Sequence, residues 1–232
     1  VKVPQVALAS STSGGRLPPW RASLCAAALL CSPAALSAHP HVFVDGGVDF
    51  ILGDGNLLEA LEVTWRYDAF ETLYILSSYE MSLNAENGLD EADRLELVRR
   101  RSEWPDDFDG SAHLTAGGEP VALEWPRDLD ARLVDGRLEV SFLRSLASPI
   151  DLNETEVEVA FYESTYFFAF SITDIPMFIG EAAPCAPQVI PFDPDEGDAE
   201  LLDVLARLGR EEIPAIANVG ALFADRIALQ CA

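Results

Sequence analysis

Ala38-His39-Pro40-His41 sets two imidazoles on either side of a proline, and they are two of only three histidines in 232 residues. Proline fixes its own φ and biases the residue before it toward extended backbone. Residues two apart on an extended chain point to the same side. The spacing therefore predicts a pair of imidazoles turned toward one cation, and neutral imidazole in that arrangement suits Zn, Ni, Co or Cu. If the chain is cut after Ala38, the α-amine of His39 joins the donor set. A copper or nickel site built on deprotonated backbone amides would need an N–H that Pro40 lacks, so a side-chain chelate remains, with or without the amine. Two imidazoles do not complete a tetrahedral site. Asp45 lies two alternations beyond His41 on the same strand face, and Asp68 and Glu163 are further oxygen donors. His113 in Ala112-His113-Leu114 is the candidate third imidazole, although a lone strand histidine is more often structural.

Other chemistry is sparse. There is no Gly-x-Ser-x-Gly, no phosphate-cradling glycine loop and no His-Glu-x-x-His, so the chain is not read as an enzyme. Asn84 to Glu91 has the flavour of a calcium loop, but with Gly88 in sixth place the first and twelfth positions fall on Leu83 and Arg94, which carry no oxygen ligand. Trp65, Trp104, Trp125 and Tyr166-Phe167-Phe168 read as core.

The segment before the histidines has the layout of an export signal. Lys2, Arg16 and Arg21 come without any acidic residue, Leu24 to Ala35 is mostly apolar, and Leu36-Ser37-Ala38 offers a small-residue cleavage site, after Ser37 or Ala38. The apolar run is too short and proline-broken for a comfortable membrane span. Residues 1–38 are thus expected to be a signal peptide and 39–232 one periplasmic domain, with no stable membrane insertion once the signal is gone. The net charge is −24, from 39 acidic against 15 basic residues. Such a surface repels nucleic acid and attracts cations. Cys25 and Cys31 leave with the signal. Cys185 and Cys231 remain, and in an oxidising compartment they imply one disulfide rather than a two-thiol metal site.

The pattern predicts an α+β fold, antiparallel and β-rich, with two or three helices. His41 to Asp45 and Val48 to Leu52 read as strand with Gly46-Gly47 as a bulge or kink, and Leu57 to Trp65 as the returning strand. Asp68 with Glu71 opens a helix whose packed face is read as Phe70, Leu73, Tyr74 and Met81. Asp90 opens a second, ending in Arg99-Arg100-Arg101, which suits a helix C-terminus. Hairpins follow at Gly117-Gly118 and Asp135-Gly136. Glu156 to Tyr162 and Tyr166 to Ile172 read as strands, the latter buried. Pro184 to Gly197 reads as loop, Ala199 to Leu208 as helix, and Ala221 to Leu229 as the last strand.

Four stretches, Ala38-His39-Pro40-His41-Val42-Phe43-Val44-Asp45, Val63 to Phe70, Val159 to Phe168 and Leu222 to Cys231, resemble a family of exported proteins of unknown function. That family is labelled the periplasmic component of an uncharacterised ABC-type transport system, and its members often stand beside nickel/cobalt-type metal transporters. The resemblance implies metal handling by association. It brings no catalytic residues, and the Asp-rich stretch that relatives carry after the first helix is shortened here. The function expected is a periplasmic transition-metal-binding accessory protein that works with a membrane metal transporter. Its metal would be Zn or Ni/Co, with Cu less favoured, at His39, His41, Asp45, Asp68 and His113. The alternatives are a structural or interaction module without metal and a copper oxidase using the His39 amine.

Overall fold

A computed structural model describes residues 40–86, 88–104, 108, 110–180, 185–193, 199–209 and 212–231. The alternation that begins at Val42 carries through β1 (Val42–Gly53), where Val42, Val44, Val48 and Phe50 are buried. Asp54-Gly55-Asn56 turns the chain, with Gly55 and Asn56 at positive φ, the region glycine and asparagine tolerate best. β2 (Leu57–Tyr67) then returns antiparallel, Val48 opposite Val63. Gly46 and Gly47 stay in register, and the irregularity falls at Ile51/Leu52 instead. The reason for Gly46 is close approach: a Cβ there would sit 1.9 Å from the Thr64 carbonyl oxygen.

Two helices interrupt the strands. α1 (Ala69–Ser78) is capped by Asp68, and α2 (Glu91–Arg101) carries Glu91 and Asp93 in its first turn and three arginines in its last. These charges match the helix dipole at both ends. The chain then forms β3 (Ala112–Ala116), β4 (Glu119–Val121), β5 (Arg127–Val134) and the long β6 (Arg137–Asp151). β7 (Val157–Phe161), β8 (Phe168–Ile172), β9 (Phe178–Gly180), β10 (Cys185–Ile190), α3 (Ala199–Leu205), a 3₁₀ turn at Val219–Phe223 and β11 (Asp225–Cys231) complete it. The fold is α+β.

Among the described residues the strands make two sheets. One runs β5-β6-β2-β1-β8, with β9 also on β1; the other runs β10-β11-β7-β3-β4. All pairings are antiparallel except β8 and β9, which lie parallel to β1 one after the other. Pro176, with no N–H to donate, falls in the gap between them. A single core cluster joins Val44, Val63 and Phe142 of the first sheet to Leu114, Val159 and Ile227 of the second. Asp45, Arg66, Glu139 and Arg132 stand opposite one another across β1, β2, β6 and β5, so opposite charges alternate along a row of the first sheet.

Beyond the glycine pair, the structure departs from the sequence reading in the helix face, in two strands and at the C-terminal end. The face α1 buries is Thr72, Ile75 and Leu76, while Phe70, Leu73 and Tyr74 are exposed, Phe70 at 78%. Both faces satisfy helical spacing, and Thr72 wins because its hydroxyl accepts from Leu138 N at 2.9 Å on β6. Pro184 to Gly197 holds strand β10, since β11 offers a partner edge that spacing alone does not reveal. In β8 only Phe170 is buried, so the strand is half-covered rather than fully buried. The final strand starts at Asp225, because Val219–Phe223 closes into a 3₁₀ turn that packs on Leu205 in a second small core.

Candidate functional site

His41 stands one residue ahead of β1. Its backbone N–H and that of Val42 both donate to the Phe167 carbonyl, at 2.9 and 3.3 Å. Its ring lies 5.0 Å from the Phe167 ring, tilted by 44°. These contacts follow from the parallel pairing of β1 with β8, where Val42 faces Phe168. The pairing holds the backbone at the head of the strand. His39 lies outside the described residues.

The other candidate ligands serve the framework. Asp45 accepts from Arg137 at 2.6 Å, and Arg137 also donates to the carbonyls of Tyr67 and Arg66, tying β1, β2 and β6 together. Asp68 accepts from Glu71 N at 2.8 Å as the cap of α1, and from Phe43 N at 3.1 Å, so one carboxylate joins the helix to β1. His113 belongs to the second sheet. It stacks on Tyr162 with ring centroids 3.8 Å apart, and its Nε2 lies 3.2 Å from the Tyr162 carbonyl. Glu163 accepts from Thr165 N, the Thr165 hydroxyl and Phe167 N at 2.8–2.9 Å, which organises the loop before β8. Among the described residues, no group of three or more His, Cys, Asp or Glu side chains is placed to hold a metal ion. His41, Asp45, Asp68 and His113 are thus not gathered into one centre. In the β10–β11 register Cys185 stands directly opposite Cys231.

The described residues also enclose a cavity of about 480 Å³ that sequence reasoning passed over, between the end of α2 and the start of β8. Trp65, Trp104, Phe167 and Phe168 line it, with Arg100 and Arg101 at the helix end. Trp104 stacks on Phe108 at 4.3 Å, and Trp65 meets Trp104 edge-on at 5.8 Å. The Trp65 indole N–H donates to the Ser111 hydroxyl at 2.5 Å. Arg101 donates to the Tyr67 hydroxyl and lies over that ring, its Cζ 5.2 Å from the centroid. Burial pushes the Tyr67 phenol above its usual pKa, against the opposing pull of Arg101, so the phenol remains neutral at pH 7. The sequence signal was Arg99-Arg100-Arg101 three residues before Trp104, together with Phe167-Phe168. Each had a sufficient structural reading alone.

A family model described as protein of unknown function (DUF1007) matches residues 24–231. No curated protein matches the chain. Among the described residues no helix is long and apolar enough to cross a membrane.

Proposed function

The chain belongs to the DUF1007 family of proteins of unknown function, and from that premise we propose that it is an exported, periplasmic accessory protein that holds a transition metal at His39 and His41. It would pass the ion to, or receive it from, a membrane metal transporter. The observation that carries this reading is the anchoring of His41: two hydrogen bonds to the Phe167 carbonyl fix the backbone at the head of β1. A fixed backbone lowers the ordering cost of closing a chelate. The metal class is Zn or Ni/Co, from the imidazole donors. Asp45, Asp68 and His113 drop out of the ligand set, because each is committed to the framework. The remaining coordination positions fall to the His39 amine, to water or to the partner. Equilibrium dialysis with Zn, Ni, Co and Cu tests this. One site per chain is expected, lost in a His39→Ala/His41→Ala variant; equal binding by that variant overturns it. Intact mass of the secreted protein reports where the signal is cut.

A second reading, an interaction module without metal, is favoured by the exposed face of α1. Phe70, Leu73 and Tyr74 share that face, and the helix carries Glu71 and no basic residue in its last turn. The occupant would be a basic, apolar segment of the membrane partner, complementary to a chain of net charge −24. Capture of the transporter that survives chelator and the double histidine variant, and is lost in Leu73→Asp, would select this reading over the first.

A further inference from the structure

We infer that the aromatic cavity beside α2 is a binding site for a small organic anion, a flat aromatic carboxylate. The inference stands apart from the metal reading, and different residues carry it.

Its first support is shape and chemistry. About 480 Å³ is the size of a small-molecule site. The walls are indole and phenyl faces, Trp104 already stacked on Phe108 and Phe167 set 5.3 Å from Phe168. Aromatic rings gain most from stacked or edge-on partners, so a planar body fits these walls better than a branched polar one.

Its second support is charge. The chain has 39 acidic residues for 15 basic ones. The guanidiniums next to Arg101 are neutralised: Arg99 pairs with Glu96 and Glu103, and Arg100 pairs with Glu96. Arg101 makes no ion pair among the described residues. Its hydrogen-bond partners are phenol hydroxyls, those of Tyr67 and Tyr79, rather than carboxylates, and the Tyr67 phenol bears no charge at pH 7. A partly buried cation without a counter-charge is costly, and in so acidic a chain a carboxylate partner was abundant. Of the two acids that line the same cavity, Glu103 pairs with Arg99 and Glu163 has its oxygens taken up by Thr165 and Phe167. The cavity therefore joins an aromatic slot to an unmatched guanidinium, whose planar N–H fork suits a carboxylate. Arg101 holds the anion and Trp104 and Phe168 hold the ring.

Calorimetric titration of the purified protein in chelator tests this, with 2-naphthoate and its neutral amide, 2-naphthamide, as probes. Chelator removes any contribution from a metal, so failure here and failure of the metal reading are distinguishable. One site per chain is expected, with 2-naphthoate at least tenfold tighter than 2-naphthamide. Trp104→Leu should weaken both probes at least tenfold. Arg101→Met should abolish the preference for the acid while leaving the amide within threefold, in protein whose near-ultraviolet circular dichroism matches the parent. Arg207→Gln, at a surface ion pair, should change neither. If Arg101→Met does not fold, the wild-type nuclear magnetic resonance spectrum decides: 2-naphthoate must shift the Arg101 Nε–H and the Trp104 indole N–H. No binding of either probe at millimolar concentration, equal affinity for acid and amide, or unmoved Arg101 and Trp104 signals would each overturn the assignment.

Discussion

Replacing Glu139 with glutamine removes one negative charge from the middle of the first sheet, and the structure allows the cost to be worked out. The side chain is 4% exposed. Oε2 takes two N–H groups of Arg66, at 2.6 and 2.9 Å, and Oε1 takes Arg132 at 2.6 and 2.7 Å. Glutamine keeps one oxygen and turns an NH₂ group toward the other guanidinium, donor against donor. The Arg66 side is partly buried, and losing a charged hydrogen bond there costs roughly 1.5–3 kcal/mol. Arg132 is 67% exposed, so its share is discounted to about 0.2–1 kcal/mol. The total is about 2–4 kcal/mol. With a urea slope of roughly 2 kcal/mol per molar, the unfolding midpoint at pH 7 should fall by about 1–2 M. The pH dependence follows from the same contacts. Burial works against the Glu139 charge, but Arg66 and then Arg132 overcome it and hold the carboxyl below its ordinary value. A carboxyl depressed in the folded state stabilises above its unfolded pKa, and that stability fades as pH falls through the folded value. The gap between wild type and Glu139→Gln should therefore be full at pH 7 and close progressively below about pH 4.5, the ordinary glutamate value. A midpoint shift under about 0.3 M, or a gap that stays constant down to pH 3, would refute the reasoning.

Three further outcomes follow from the framework. Gly46→Ala drives a methyl into the Thr64 carbonyl 1.9 Å away, so a loss of about 3 kcal/mol or insoluble protein is expected, read by urea unfolding. On α1, Phe70→Ser should change stability by less than about 0.5 kcal/mol, whereas Ile75→Ala should cost about 2–4 kcal/mol; the reverse order in thermal melts would contradict the placement of that helix. A Cys185–Cys231 bridge is expected from their opposed register, and it would close a loop that stabilises by about 4 kcal/mol. Non-reducing peptide mapping should recover one linked peptide, and alkylation of both thiols without reduction would exclude the bridge.

Elements that announce themselves locally were legible in the sequence. β1 and β2 alternate, Asp68 and Glu71 mark a helix start, and Gly117-Gly118 and Asp135-Gly136 sit at hairpin turns. What the sequence did not reveal was decided by distant partners. Phe70, Leu73 and Tyr74 fit a buried stripe as well as Thr72, Ile75 and Leu76 do, and the choice rests on β6 offering the Leu138 N–H to Thr72. β10 is recognisable only once β11 lies beside it. The candidate site fared likewise. Asp45 was placed by alternation on the right strand, but Arg137, 92 positions away, claims its carboxylate. His113 was placed on the right kind of element, yet the second sheet carries it to Tyr162. Spacing says which residues share a face; it does not say which cation reaches a carboxylate first.

That competition also explains the form the arginines take. Lys2 is the only lysine, so every basic residue from Arg16 onward is an arginine. A lysine is a compact point charge; a guanidinium offers five N–H groups in a plane and can serve several acceptors at once. The framework uses that property directly. Arg137 reaches Asp45 and two carbonyls, and Arg66 reaches Glu139 and Asp174. In a chain of net charge −24, such multivalent cations let a few positive residues neutralise acids on several strands. The same logic makes Arg101 stand out. It has the fork, it lies among many acids, its partners are the Tyr67 and Tyr79 phenols, and it lines an aromatic cavity. A guanidinium kept from carboxylates in such surroundings is either a remnant of packing against Tyr67 or a docking point for an anion from outside. The two differ in one observable: a packing role makes Arg101→Met costly to stability and indifferent to ligand charge, and a docking role makes it selective against the anionic probe.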